Sequence, residues 1–343
     1  MISRERGQQV QVLQRSLDYP GVASADVLRI TALAGGIGGA RFLRGLLRAV
    51  PDADVTVIGN TADDITLHGL HISPDLDTVM YTLGGGIHEG QGWGRAEETY
   101  AVKDELAAYG AEPQWFGLGD RDLATHVVRT QMLGAGYPLS AVTEALCDRW
   151  QPGVRLLPMT DDRVETHVVV DEGERPRAVH FQEWWVRMHA KIPAERIVLV
   201  GVESARPAPG VLEAIQAADV VLLPPSNPVV SIGPILAVAG VRDAVATAGA
   251  PVVGVSPIIS GAPVRGMADA CLTAIGVETS AAAVAGLYAD LLDGWLVDTS
   301  DADAVPTVEA LGVPCRAVPL LMSDVDKAAA MARAALDLAE SRR

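Results

Sequence analysis

Residues 28–47 read LRITALAGGIGGARFLRGLL. Leu28–Ala34 is a short apolar run with the β-branched Ile30 and Thr31, and it stops at Gly35-Gly36-Ile37-Gly38-Gly39. Beyond the glycines, Phe42, Leu43, Leu46 and Leu47 recur at the spacing of one helical face. Strand, glycine-rich turn and helix in that order open a βαβ unit. Such a turn leaves backbone N–H groups free at a helix start, where the helix dipole also attracts an anion. Glycine serves there because a Cβ would hold the backbone away from a ligand. Gly35, Gly36, Gly38 and Gly39 are therefore candidate phosphate contacts, with Arg41 as a neighbouring cation; a tight strand-to-helix turn is the plain structural alternative. Neither familiar nucleotide fingerprint is present. Counted from Gly36, the third glycine of GxGxxG falls on Arg41, and no GK[ST] follows.

Working outward, Asp54–Ile58 (DVTVI) reads as the second strand and opens into Gly59-Asn60-Thr61-Ala62-Asp63-Asp64. Arg196–Val202, Asp219–Leu223, Pro251–Val255 and Gly294–Val297 are further candidate strands. Between and after them lie Pro209–Ala218, Ala281–Leu292 and Ser323–Glu340, which read as helices. This alternation predicts an α/β fold, a Rossmann-like, doubly wound and mostly parallel sheet. Arg121–Trp150 reads as helical, and Leu156–Trp185 has strand-like pieces joined by the turn Asp171-Glu172-Gly173. Residues 80–190 or so are thus expected as a largely helical insertion with a β-hairpin, inside a single domain over 28–343. Residues 1–27 lack the apolar core of a secretory signal and are expected as a poorly ordered extension.

Composition narrows the function classes. The chain has 343 residues, 27 Lys and Arg against 43 Asp and Glu, and a formal charge of −16, which disfavours nucleic acid and anionic membranes as partners. No run approaches the length of a membrane span. Cys147, Cys271 and Cys315 lie far apart, as expected of core thiols in a reducing, cytoplasmic setting rather than a zinc site.

In an open parallel sheet, ligands bind beyond the carboxyl ends of the strands. Four predicted strands end in unusual loops: GGIGG (35–39), GNTADD (59–64), PPSNPVVSIGP (224–234) and SPIISGAPVRG (256–266). Asp63, Asp64, Asp75 and Asp77 form an acidic constellation able to offer hard oxygens to Mg²⁺; helix and turn capping is the alternative use for them. Ser226 and Asn227 offer hydroxyl and amide groups to a nucleotide, and Arg265 adds a cation. No Ser/His/Asp or Cys/His arrangement can be read from spacing.

Several of these motifs occur in family order. Gly35–Gly39, Asn60–Asp64, Ser73-Pro74-Asp75-Leu76-Asp77-Thr78 and Leu118-Gly119-Asp120-Arg121-Asp122 are followed by Leu157–Asp162, His180-Phe181-Gln182, Ser226-Asn227-Pro228 and Ser256-Pro257-Ile258-Ile259. The ordered set resembles the CofD/FbiA family of 2-phospholactate and phosphoenolpyruvate transferases of coenzyme F-420 biosynthesis, on its actinobacterial FbiA branch. The resemblance implies a Mg²⁺-dependent transfer from a guanosine diphosphate-linked phospholactyl or phosphoenolpyruvyl donor to the deazaflavin Fo, with GMP released. It also implies a homodimer. Carried over by motif, Asp77 and Gly117 contact Fo, with glycine standing where the family often has a basic residue before Leu-Gly-Asp. The glycine turn, Ser226 and Asn227 hold the guanosine diphosphate end, and Asp64 and Asp77 serve catalysis as Mg²⁺ ligands. The alternative is a non-catalytic nucleotide-sugar-binding regulator of the gluconeogenesis-factor type, which shares the fold and the glycine turn.

Overall fold

The computed structural model describes residues 27–171, 173 and 175–342; the expectation for 1–27 thus lies outside the described residues apart from Val27. The chain runs β1 (Arg29–Ala34), α1 (Gly36–Ala49), β2 (Asp54–Gly59), the hairpin β3 (Ile65–Leu67) and β4 (Leu70–Ile72), and α2 (Pro74–Leu83). It continues through α3 (Ala101–Ala108), α4 (Asp120–Gly134), α5 (Leu139–Trp150) and β5 (Arg155–Pro158). Next come β6 (Glu165–Asp171), β7 (Pro176–His180), β8 (Ala194–Val200), α6 (Val211–Ala217), β9 (Val220–Leu223), α7 (Gly233–Ala237) and α8 (Val241–Ala246). The last part holds β10 (Val252–Val255), the hairpin β11 (Ile258–Ile259) and β12 (Ala262–Pro263), α9 (Ala268–Ala274), α10 (Ala281–Gly286), β13 (Gly294–Val297), α11 (Val305–Glu309), β14 (Cys315–Ala317) and α12 (Val325–Glu340).

The central sheet has seven parallel strands in the order β14-β13-β10-β9-β1-β2-β5. Its strands are short apolar runs because both faces are covered, and alternate residues serve opposite faces. Ile30, Ala32, Val220 and Leu222 pack with α1, α2, α5 and α12, while Leu33, Val221 and Leu223 pack with the helices of the other face. The fold is therefore the α/β, Rossmann-like, mostly parallel architecture expected from the sequence.

Two strands sit elsewhere than the sequence suggests. The RIVLV run of β8 pairs antiparallel with β6, beside β7, in a separate three-stranded sheet. A short apolar run carries no mark of which sheet it joins. Conversely β5, inside the span expected as one insertion, is the edge strand of the central sheet. The helical excursion α3–α5 therefore ends at β5 rather than continuing into the β6–β7 hairpin. Among the described residues, no helix is long and apolar enough to cross a membrane.

Two packing features hold the site's frame. Gly45 lets α1 lie directly on α12: a Cβ there would stand 2.4 Å from the carbonyl carbon of Ala328 and 2.6 Å from its Cβ. On the opposite flank, the guanidinium of Arg129 on α4, only 1% exposed, grips both carboxylate oxygens of Asp77 on α2, with Nη1 donating to Oδ2 at 3.1 Å. The same Nη1 lies 3.2 Å from His126 Nδ1, and the Tyr81 hydroxyl donates to Asp122 Oδ1 at 2.6 Å. Asp77 also lies in the first turn of α2, where a negative charge suits the helix dipole.

Gly45→Ala should lower unfolding free energy by roughly 1–3 kcal/mol, because the new methyl overpacks the α1–α12 contact; urea titration checks it. Arg129→Met should cost about 3–5 kcal/mol by leaving Asp77 buried and unpaired. The double variant Arg129→Met/Asp77→Leu should recover most of that loss in the same urea titrations.

Candidate active site

From β1 the chain builds outward through β2 to β5, and from β9 it builds the other way through β10, β13 and β14. A crevice opens where strand order reverses, between the loops that follow β1 and β9. It holds a cleft of about 1030 Å³ including its mouth. Gly35, Gly36 and Gly38 form its floor, Ser226 and Asn227 one wall, and Asp63 and Asp75 another. Arg41 and Arg265 stand on its rim, and Phe181 and Trp185 face it from the segment after β7.

The floor is built by close approach of two loops. A Cβ on Gly38 would fall 2.1 Å from the carbonyl oxygen of Pro225, and one on Gly39 would fall 2.6 Å from Ser226 Oγ. Ser226 Oγ accepts from the Gly35 N–H at 3.1 Å and donates to the Gly35 carbonyl at 2.8 Å, locking the loops together. Gly36 begins α1 at φ +63°, a left-handed value that favours glycine. The N-cap Gly35 has no side chain to cap α1 and its first turn holds no acid; instead the Asp75 carboxylate reaches over from α2 and accepts from the Gly36 N–H. Asn227 works locally as well: its Oδ1 accepts from the N–H groups of Val229 and Val230 at 3.0 and 3.2 Å.

The acids divide into three situations. Asp75 stands beside the glycine floor, its Oδ2 accepting from Asn60 Nδ2 at 3.0 Å and from Ser231 Oγ at 3.4 Å. Asp63 Oδ1 is buried with no hydrogen-bond partner. Asp64 lines a separate depression with Asp161, Asp162 and Glu165; its Oδ2 accepts from Ser73 Oγ at 2.7 Å and lies 2.8 Å from His71 Nε2, while its Oδ1 is unpartnered. Asp77 belongs to the Arg129 pair and does not line the cleft. Gly117 lies before α4 outside the cleft, and Lys103 Nζ is 3.6 Å from where its Cβ would stand.

Burial raises all three ungripped carboxyls. Asp63 is pushed well above its ordinary value by burial and then by the charges of Asp75 and Asp64. Burial carries Asp75 up to about 6, against the Asn60 bond and with the charge of Asp64 adding to it. For Asp64, burial outweighs the bonds from His71 and Ser73. Arg41, by contrast, has no hydrogen bond or ion pair among the described residues. Its pKa is lowered by burial and then by Arg265 and Arg44.

A divalent cation fits this arrangement. No three His, Cys, Asp or Glu side chains among the described residues come together as a cage. Mg²⁺ does not need one, since it keeps several waters and binds through one or two carboxylates plus substrate phosphates. At the cleft the residues that would hold such an ion are Asp63, with its orphaned oxygen, and the neighbouring Asp75, whereas Asp77 is occupied by Arg129. The sequence drew attention to all four acids but could not order them, because facing direction depends on the register of α2 and on Arg129, fifty-two residues away. Trp185 was not read as a cleft residue; its signal is the EWW run after the hairpin, with its ring 5.6 Å from that of Phe181.

Comparison with known proteins agrees with this geometry. The family model described as 2-phospho-L-lactate transferase CofD matches residues 30–312. The phosphoenolpyruvate transferase of Streptomyces coelicolor is 72% identical over 315 residues, covering 91% of this chain and 98% of that one. The proteins of the same name from Thermobifida fusca and Mycolicibacterium smegmatis are 69% and 56% identical, each over 91% of this chain and 98% and 99% of theirs. Two crystal structures of protein BH3568 from Bacillus halodurans, one described as a member of the upf0052 family, share the fold with TM-scores of 0.60 and 0.62 at 18% identity. Each covers 90% of this chain and 99% of its own, and at that identity the likeness speaks for the fold alone. The chain belongs to the 2-phospho-L-lactate transferase CofD family.

Proposed function

We propose that this protein transfers a phosphoenolpyruvyl group from a guanosine diphosphate-linked donor to the terminal hydroxyl of the deazaflavin Fo, releasing GMP in coenzyme F-420 biosynthesis. The relatives named phosphoenolpyruvate transferase, at up to 72% identity, favour the enolpyruvyl over the lactyl group. The observation that carries the reading is one cleft at the sheet's switch point, combining a glycine-rich helix start with two buried carboxylates, Asp75 and the unpartnered Asp63 Oδ1.

In the proposed reaction the acceptor oxygen bonds to the phosphorus that carries the enolpyruvyl group. The bond from that phosphorus to the oxygen of GMP breaks, and the hydroxyl proton leaves to water. Such a displacement asks the protein for alignment and charge neutralisation rather than covalent help. Asp63 and Asp75 would hold Mg²⁺, which when bound offsets charge on the phosphate oxygens. The N–H groups beyond Gly36, together with Arg41, orient the diphosphate, with Ser226 fixing the loop that carries them. Phe181 and Trp185 offer flat faces for an aromatic ring of donor or acceptor. The chemistry of the sequence makes Asp64 and Asp77 the expected metal ligands, and the resemblance assigns Asp77 with Gly117 to Fo. The engagement of Asp77 by Arg129 supports a structural clamp there instead.

Incubating the purified chain with Fo, Mg²⁺ and each synthetic donor, and weighing the product, tests the reading. Turnover with release of GMP is expected; absence of turnover with either donor would favour the regulator. Asp63→Asn and Asp75→Asn should each lower kcat by roughly 100-fold or more, the scale of losing a charge-stabilising group.

The same carboxylates should register in stability. A carboxyl raised in the folded state favours folding in its protonated form. For Asp75 that contribution is complete below 3.8 and is lost as pH rises through about 6. The ligand-free protein should therefore lose stability between those values, and Asp75→Asn should flatten the profile. Asp63→Asn should raise the melting temperature at the alkaline end of that range while lowering turnover, since burial and the charges of Asp75 and Asp64 disfavour the ionised carboxyl. Thermal melts across pH, without ligand, check both.

A further inference from the structure

The segment between α2 and α3 crosses the rim of the cleft as a strap. Its base is closed by the Ile87–Arg95 bridge and by the Ala96 N–H donating to the Gly86 carbonyl at 2.9 Å. Arg95 stacks over Trp150 with its guanidinium carbon 4.8 Å from the ring centre, fixing that base to α5. Nearer the tip, the His88 N–H donates to the Gly94 carbonyl at 3.0 Å and the Gly92 N–H to the His88 carbonyl at 2.7 Å. The tip rests on two arginines from two other parts of the chain. Arg265, beyond β12, donates from Nη1 to the Gln91 carbonyl at 2.5 Å and from Nη2 to the Gly90 carbonyl at 3.1 Å. Arg44 pairs with Glu89 at 2.5 Å, and Arg41, which lines the cleft and feels the charges of Arg265, Arg44 and Glu89, has no bonded partner among the described residues.

The charge balance there is uneven. Three guanidiniums gather in a chain of net charge −16, and the acid set against them is Glu89, bonded to the one arginine that does not line the cleft. Carbonyls orient Arg265 but cannot neutralise it. A guanidinium has five N–H donors in a fixed fork, so two of them spent on the strap leave others free for a second partner.

We propose that Arg265, aimed by the strap and acting with Arg41, is a specificity-determining residue that grips an oxyanion group of the donor. That group is either the diphosphate or the carboxylate of its three-carbon unit, both of which offer paired oxygens to a guanidinium fork. The inference rests on the transfer reading for the identity of the donor, but not for the existence of the receptor. Gly92 is what permits the arrangement. At φ +77°, a Cβ there would stand 2.9 Å from Ile37 Cγ2 and 3.0 Å from Arg265 Nη1, so the strap touches the glycine floor and the arginine together.

The test is calorimetric titration of the full chain, without Fo and without turnover, with inorganic pyrophosphate, GDP and phosphoenolpyruvate as probes. Arg265→Gln should weaken binding about 10- to 100-fold, the scale of a lost charge-assisted bond, and Arg265→Lys by less. Weakening of pyrophosphate and GDP assigns Arg265 to the diphosphate; weakening of phosphoenolpyruvate alone assigns it to the carboxylate. Gly92→Ala, which keeps every charge but crowds Arg265 and Ile37 at a left-handed backbone position, should weaken the same probe, with the melting temperature recorded alongside. Wild-type affinity for all three probes in Arg265→Gln, or no binding of any probe by the wild type, overturns the receptor. Wild-type affinity in Gly92→Ala overturns the role of the strap. A chain that binds these anions but never turns over Fo would sink the transfer reading and leave the receptor standing.

Discussion

The approach of Gly38 to the carbonyl of Pro225 sets the position of everything else at the cleft. A single methyl at residue 38 would overlap that oxygen, so helix α1 and the loop after β9 reach their present separation only through glycine. The Ser226 bonds to both polar groups of Gly35 then fix the two loops in register. Because β1 and β9 are the two strands at which sheet order reverses, locking their loops also shapes the crevice that the topology creates. The glycines serve packing first, and the free N–H groups of α1 are a consequence of it.

Electrostatics follow from that frame. The cleft brings buried carboxylates to one wall and under-neutralised guanidiniums to the rim. Asp63 Oδ1 and Arg41 find no partner among the described residues, as expected where a protein gives up local stability for binding. By contrast Asp77, an acid of the same helix turn as Asp75, is fully matched by Arg129. Two carboxylates two residues apart thus take opposite places, one paired with α4 and the other lining the cleft. Facing direction along the helix separates them, not chemistry.

The fold class was legible because buried parallel strands leave a strong mark: short apolar runs, each ending in a loop rich in Gly, Asn, Ser or Pro. LRITALA, DVTVI, DVVLL and PVVGV all became central strands on that signal. RIVLV carried the same mark and joined another sheet, because hydrophobicity specifies burial and not partner. The glycine turn, Arg41, Ser226 and Asn227 were legible as a group and do converge on one cleft. The sorting of Asp63 and Asp75 from Asp64 and Asp77 was not, since it depends on long-range partners such as Arg129 and on the path of the chain around Ser73. The strap was invisible for a related reason: GGGIHEGQGWG reads as a loop, and only its contact with Arg265 gives it a place.

The return of the chain to the central sheet at β5 has a wider meaning. Everything from the end of α2 to β5, including the strap and α3–α5, leaves the sheet and comes back to it as one closed excursion. Loop-closure entropy grows only with the logarithm of length, so such an excursion can lengthen or shorten at small cost to the core. The excursion is nonetheless tied back to the rest of the chain, through the strap to Ile37 and Arg265 and through Arg129 of α4 to Asp77 of α2. A change in its length is therefore felt at the mouth of the cleft, so that excursion and glycine floor can vary only in step.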